Sequence, residues 1–191
     1  GFGQKTGIDL EEEETSPLRP AGSWKEIDLA TASFGQGIAV TPIQMLRAIS
    51  VLANNGKLIE PHIVDQIIDP VGKTISVKPK VLKQVIRPAT AKIITEMMIS
   101  AVDKGEAKWA KPAGYRIAGK TGTAQIPVSG HYDSEKTIAS FVGFAPADDP
   151  KFAMLVLLRE PTTSPWGSET AAPLFFNIAK ELFTYYGISP N

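Results

Sequence analysis

The 191-residue chain contains no cysteine, which excludes disulfide staples, a thiol nucleophile and cysteine-based zinc sites together. It also lacks a surplus of either charge, because 20 Lys and Arg balance 20 Asp and Glu. Proteins that grip phosphate backbones carry a basic excess, so no nucleic-acid partner is expected. Long apolar runs are missing as well. The longest, Phe152–Leu158, falls far short of the roughly 20 residues that cross a bilayer. Gly1 opens in loop-like sequence, so neither a signal peptide nor an anchor is expected, and no direct membrane contact. The two histidines, His62 and His131, have no second His or Cys at ligand spacing, so no metal site is expected. His62 follows Pro61 and reads as structural, whereas His131 falls in a polar loop and reads as solvated. There is no G-x-S-x-G elbow and no dinucleotide fingerprint.

What is present is the composition of an ordinary globular chain, long enough for one domain or a piece of a larger one. Residues 1–33 read as irregular, with an acidic run Glu11–Glu14 that should repel itself and stay solvated. Thr41-Pro42-Ile43-Gln44 has the form of a capping box with Pro at the first helical position. Met45, Leu46, Ile49, Leu52 and Ala53 form the stripe of that helix, and Asn54-Asn55-Gly56 stops it. Ile63-Val64, Ile67-Ile68 and Ile75–Val77 around Asp69-Pro70-Val71-Gly72 predict a small hairpin over 62–78. A second helix is expected from Thr90 to about Lys104, with Ile94, Met97, Met98, Ala101 and Val102 as core filler.

Beyond Pro112 the period changes. Tyr115–Ile126, Lys136–Ala145 and Phe152–Arg159 read as three strands, joined by a polar link over Pro127–Glu135 and a tight turn over Pro146–Lys151. The third is apolar almost throughout, which predicts a central strand. Residues 170–186 form a closing helix with Leu174, Phe175, Ile178, Leu182, Phe183 and Tyr186 on one side. The fold class is therefore α+β, an antiparallel sheet covered by helices. Three blocks are expected: an irregular leader over 1–40, a helical part with a hairpin over 41–111, and strands plus the final helix over 112–191. Between Lys73 and Lys92 lie six basic residues and no acidic one. This is a solvated surface or a face for an anionic partner.

Lys-Thr-Gly occurs twice. Lys5-Thr6-Gly7 has turn chemistry and no expected catalytic role. Lys120-Thr121-Gly122 sits inside a strand, within Ile117-Ala-Gly-Lys-Thr-Gly-Thr-Ala-Gln125. Glycines within a strand suggest that another backbone approaches closely, as a peptide laid along the strand edge would. A Lys ammonium with the Thr121 and Thr123 hydroxyls makes a receptor for a carboxylate. The Thr123 N–H could face a developing oxyanion, where one donor is worth about 3 kcal/mol.

These residues resemble the transpeptidase domain of class B penicillin-binding proteins, whose motif set ends in K-T-G. The resemblance extends through Gly1–Leu10, Ser33–Gln44, Ala118–Gln125, Ala139–Pro146 and Ala171-Ala172-Pro173, in that family's order, and the second of these looks more like the division (septal) type than the elongation type. It implies a serine-transpeptidase fold like that of β-lactamases, incomplete in this sequence. It implies that Lys120 orients a second-motif hydroxyl and offers charge to the substrate carboxylate, which Thr121 and Thr123 bind. Thr123 N–H would supply half of an oxyanion hole while its C=O accepts a peptide N–H, and Gly122 would keep the edge open.

Two motifs of the family are absent. None of the twelve serines has Lys three positions later, so the S-x-x-K nucleophile is missing. The single S-x-N, Ser189-Pro190-Asn191, lies past Lys120 and reads as coincidence. Glu11–Glu14 also replaces the Pro-Gly-Glu that usually follows Ile-Asp-Leu. The expectation is a C-terminal portion of a peptidoglycan D,D-transpeptidase with no metal or organic cofactor. The resemblance implies as partners the D-Ala-D-Ala end of stem peptides, β-lactams, and cell-wall or divisome proteins, with an anchored parent working outside the cytoplasmic membrane. A catalytically inactive scaffold or peptide-binding module on the same fold remains the alternative, and a β-lactamase a weaker one.

Overall fold

The computed structural model describes residues 1–128 and 131–190 and divides into two compact units, Gly1–Arg87 and Pro88–Asn191. In the first unit, helix α1 (Glu26–Ala32) interrupts the stretch expected to be irregular. Its Ile27 and Leu29 are exposed. Local polar contacts hold it instead: Lys25 N–H donates to the Asp28 carboxylate (3.0 Å), which also pairs with Arg19 (2.6 Å). A helix fixed this way leaves no apolar period to read.

Helix α2 (Pro42–Ala53) begins as expected, with Thr41 and Gln44 exchanging N–H to side-chain hydrogen bonds. Its buried line, however, is Gln44, Arg47 and Val51, not the aliphatic stripe. Gln44 Nε2 donates to Gln4 O (2.7 Å) and Thr15 Oγ1 (2.8 Å), and Arg47 donates to Thr6 O (3.0 Å) and Gly1 O (3.1 Å). The leader is thus tied down by buried polar groups, which in a sequence look like a solvent face. The acidic run is not wholly solvated either. Glu13 accepts from Thr6 N–H (2.6 Å), Thr6 Oγ1 (2.6 Å) and Gly7 N–H (3.0 Å). The first Lys-Thr-Gly is a clamped turn, with Gly7 at φ +80°.

Strands β1 (Lys57–Glu60) and β4 (Lys80–Gln84) pair around an inner hairpin of β2 (Gln66–Ile68) and β3 (Thr74–Ser76). The hairpin lies where it was expected. Ile63 and Val64 are not strand: their N–H groups donate to the Asp9 carboxylate at 2.7 and 3.0 Å. The outer pair escaped the sequence reading because its partners are distant, Glu60 opposite Lys80, and a register shift interrupts the ladder after Leu58.

The second unit contains helix α3 (Pro88–Lys104), a 3₁₀ turn (Glu106–Ala110), strands β5 (Ala118–Val128), β6 (His131–Ala145) and β7 (Phe152–Arg159), and helix α4 (Ala171–Tyr185). The sheet is antiparallel with order β5-β6-β7. One expectation is corrected here. The polar link over 127–135 is largely strand, since Pro127 pairs with Tyr132 and Val128 with His131. Ser129 and Gly130, the His131 side chain and Asn191 of the terminal S-x-N lie outside the described residues. Among the described residues β7 pairs with β6 alone. Its Val156 enters the core with Phe152, Met154 and Leu158 against it, while Leu157 is exposed.

Helix α4 closes the core with Ala171, Ala172, Phe175, Phe176, Ala179 and Phe183. The Phe141 ring lies 4.5 Å from that of Phe175 and 5.1 Å from that of Phe176, and Tyr115 stacks on Phe183 at 4.0 Å. Leu174 and Ile178 of the expected α4 stripe are exposed, and so is Met97 of α3. The buried face of α4 is made of Ala171, Ala172 and Ala179 between phenylalanines, and that of α3 of Ala91, Thr95, Met98, Ile99 and Val102, so the small residues and aromatics, not Leu174 and Ile178, turn inward.

Phe175→Ala should cost about 3–5 kcal/mol of stability, read from the urea midpoint. Burial opposes ionisation of Glu13, but the hydrogen bonds from Thr6 and Gly7 outweigh it and hold the carboxyl below its ordinary 4.5. A depressed carboxyl stabilises the fold above that value and loses the effect as pH falls through the folded pKa. Glu13→Gln should therefore lower the thermal midpoint at neutral pH, with the gap to wild type closing progressively below pH 4.5.

Candidate active site

The second Lys-Thr-Gly lies on β5, and its chemistry follows from which way each peptide group points. Glu160 N–H donates to Thr137 O at 2.8 Å, on the β7 side. Odd-numbered residues of β6 therefore turn their peptide groups to β7, and even-numbered ones to β5. With Lys120 opposite Val142 and Gly122 opposite Ser140, even-numbered β5 residues are the ones bonded to β6. Gly119, Thr121 and Thr123 turn N–H and C=O to the free edge. No strand among the described residues pairs with that edge. It is a template for an extended peptide.

Side chains alternate across the sheet. Thr121 and Thr123 share a face with Phe141 and Gly143, while Lys120 and Gly122 share the other with Ser140 and Val142. The Lys120 ammonium nevertheless bends back to the edge, where it donates to Thr121 O (2.9 Å) and Thr121 Oγ1 (3.2 Å). The structure thus joins Lys120 and Thr121 directly. Thr123 is held separately: its Oγ1 accepts the Gly167 N–H at 3.0 Å, leaving the hydroxyl proton free to donate outward. A shallow pocket of about 280 Å³ borders this edge, between Gly119, Lys120, Thr121 and the 3₁₀ turn at Glu106 and Ala107.

The glycines have internal causes that the sequence did not show. A Cβ on Gly119 would stand 2.6 Å from the Phe141 ring, and one on Gly122 would stand 2.6 Å from Ser140 Oγ. Close approach is real, but the neighbours are β6 side chains. The reading also missed Gly167. A Cβ there would lie 2.4 Å from Gly122 O and 2.6 Å from Ser140 O, so only glycine lets the loop before α4 cross the strand pair. That loop is fastened by Thr137 Oγ1, which donates to Pro165 O (2.7 Å), and by Ser164 Oγ, which donates to Glu169 (2.6 Å). The turn-rich Ser164-Pro-Trp-Gly-Ser168 was the available signal.

A cation, two hydroxyls and unpaired strand N–H groups converge on one edge, which suits a carboxylate-terminated extended ligand. Among the described residues there is no group of three or more His, Cys, Asp or Glu that could hold a metal. No helix among them is long and apolar enough to cross a membrane.

The architecture and this site define a class of protein: a helix-covered antiparallel sheet whose open edge strand carries Lys-Thr-Gly-Thr. The family model of the penicillin binding protein transpeptidase domain matches residues 1–180, and the chain belongs to that family. It is 44% identical to the stage V sporulation protein D of Bacillus subtilis over the whole chain and 30% of that relative. It is 32% identical to a probable peptidoglycan D,D-transpeptidase PenA of Neisseria flavescens, over the whole chain and 46% of that protein. The penicillin-binding protein 3 of Mycobacterium tuberculosis, in its complex with ampicillin, superimposes with a TM-score of 0.91 at 30% identity, covering 100% of this chain and 45% of that one. The transpeptidase domain of Burkholderia pseudomallei penicillin-binding protein 3 gives 0.86 at 33% identity, covering 100% and 56%. The chain therefore spans less than half the length of these two curated relatives.

Gly167→Ala should lower stability by about 1–3 kcal/mol, because backbone atoms must yield to the new methyl group. It should also shift the Thr123 amide resonance. An unchanged spectrum and melting curve would show that the loop does not brace the strand.

Proposed function

We propose that this chain is the C-terminal portion of the transpeptidase domain of a peptidoglycan D,D-transpeptidase, and that it supplies the carboxylate-binding edge of the active site. The observation that carries this reading is the Lys120-Thr121-Gly122-Thr123 edge, with cation, hydroxyls and free N–H groups in one place. In the whole protein a serine outside this sequence attacks the penultimate D-Ala carbonyl of a stem peptide, and the terminal D-Ala leaves as an amine. An amine of a neighbouring stem then displaces the serine from the acyl-enzyme. Lys120 and Thr121 hold the terminal carboxylate, with Thr123 beside them. Thr123 N–H faces the oxyanion in each tetrahedral stage, where removing one such donor costs about 3 kcal/mol.

β-Lactams present a carboxylate and a strained amide to the same edge, and acylate the serine without releasing a fragment that diffuses away. The parent works at the outer face of the cytoplasmic membrane, among the proteins of wall synthesis or division. The Ser33–Gln44 segment favours a septal role, and the similarity to a sporulation protein fits wall synthesis during a developmental division.

Incubation of the full-length protein with a penicillin should give a one-to-one covalent adduct by intact mass, mapped to a serine followed three residues later by Lys. A folded protein that forms no adduct would instead be a peptide-binding scaffold. Lys120→Ala should slow acylation by two or more orders of magnitude with an unchanged melting curve, about the loss expected for one charged transition-state contact. Near-normal acylation would remove Lys120 from the site.

A further inference from the structure

The β2–β3 hairpin carries a surface that the transpeptidase reading does not use. A two-stranded hairpin is at best marginal in water unless something covers it. Yet Ile67, Ile68, Val71 and Ile75 are all at least half exposed, Val71 at 88%. Ile67 stands opposite Ile75 on one face, and Ile68 opposite Thr74 on the other. The backbone is equally unpartnered. Asp69 N–H donates to Lys73 O and Val77 N–H to Asp65 O, so the odd-numbered residues pair within the hairpin. By alternation, Thr74 and Ser76 of β3 direct N–H and C=O outward.

Residues 73–78, which contain β3, carry Lys73 and Lys78 and no acidic residue, whereas Asp65 and Asp69 belong to the β2 side of the hairpin. Of the basic stretch 73–92, Lys92 belongs to α3, in the second unit. Lys80 is paired with Glu60. Lys73, immediately before β3, and Lys78, two residues after it, have no carboxylate within ion-pair distance among the described residues. The nearby Asp69 carboxylate accepts from the Val71 and Lys73 N–H groups of its own turn. Lysines that guard an edge against pairing act from the strand itself. Here β3 is uncharged Thr-Ile-Ser, and the lysines flank it, where they attract an acidic strand rather than exclude one.

We infer that β3 is a docking edge for an acidic, extended segment of a partner protein, which adds as a third strand. Its backbone pairs with Thr74 and Ser76, alternate apolar side chains cover Ile75, and its carboxylates meet Lys73 and Lys78. This goes beyond the transpeptidase reading and does not depend on it.

The test uses the full-length protein and the peptide Glu-Val-Glu-Val-Glu-Val-Glu-amide carrying fluorescein on its N-terminal amine, with its Lys-for-Glu counterpart, labelled at the same place, as control. Fluorescence anisotropy should show binding of the acidic peptide alone, weakened by added salt. The double variant Lys73→Glu, Lys78→Glu should bind it about fivefold more weakly or worse, as expected for two exposed ion pairs. Its penicillin acylation should be unchanged. Hydrogen exchange at Thr74 and Ser76 should slow when the acidic peptide binds. Failure of the acidic peptide to bind, equal binding of both peptides, or binding without protection at β3 would overturn the inference. Binding of the protein to phosphatidylglycerol vesicles through these lysines, with no peptide binding, would overturn it in favour of a lipid surface.

Discussion

The register between β5 and β6 is the constraint on which the site depends. Because side chains alternate with a period of two, a slip of one residue would turn every β5 side chain to the opposite face. Lys120 would then lie on the α4 side, Thr121 and Thr123 would lose their place, and the wrong peptide groups would reach the open edge. The register is fixed by close contacts rather than by the ladder alone. Gly119 accommodates the Phe141 ring, Gly122 accommodates Ser140, and Gly143 fits against Ala118 O. Each glycine leaves the room its neighbour needs, and an alignment that set a Cβ there would clash.

The same packing explains why the site is stiff where it must be. Phe141 is shared between the strand pair and the aromatic cluster of α4, so the hydrophobic core and the edge strand are one mechanical object. Gly167 lays the preceding loop across the strands, and its N–H fixes the Thr123 hydroxyl. A hydroxyl held from behind costs less ordering when a ligand arrives, which is how a preorganised site gains affinity. Lys120, by contrast, reaches the edge through a flexible stem and among the described residues is held by Thr121 alone.

Much of this was legible from the residues in order. The capping box at Thr41 and Gln44, the inner hairpin, the course of β7, and both long helices announce themselves by local chemistry and period. So does the Lys120–Thr123 cluster, whose residue types are sufficient to suggest a carboxylate receptor. What was not legible has a common cause. The buried Gln44 and Arg47 face, the Glu13 clamp, the β1–β4 pair and the Gly167 crossing all depend on partners distant in sequence. Hydrophobic periodicity finds faces that exclude water, and it is blind to polar groups buried by one another.

The sequence by itself determined the class of the fold and the chemical character of the site, because propensity, capping and residue type act over a few neighbours. It also determined family membership, through motifs kept in order along the chain. Tertiary structure alone decided the place of each strand in the sheet, the direction of each peptide group at the β5 edge, and the role of the glycines. Those are questions of who lies beside whom, and a strand cannot know its neighbour until the chain has closed on itself.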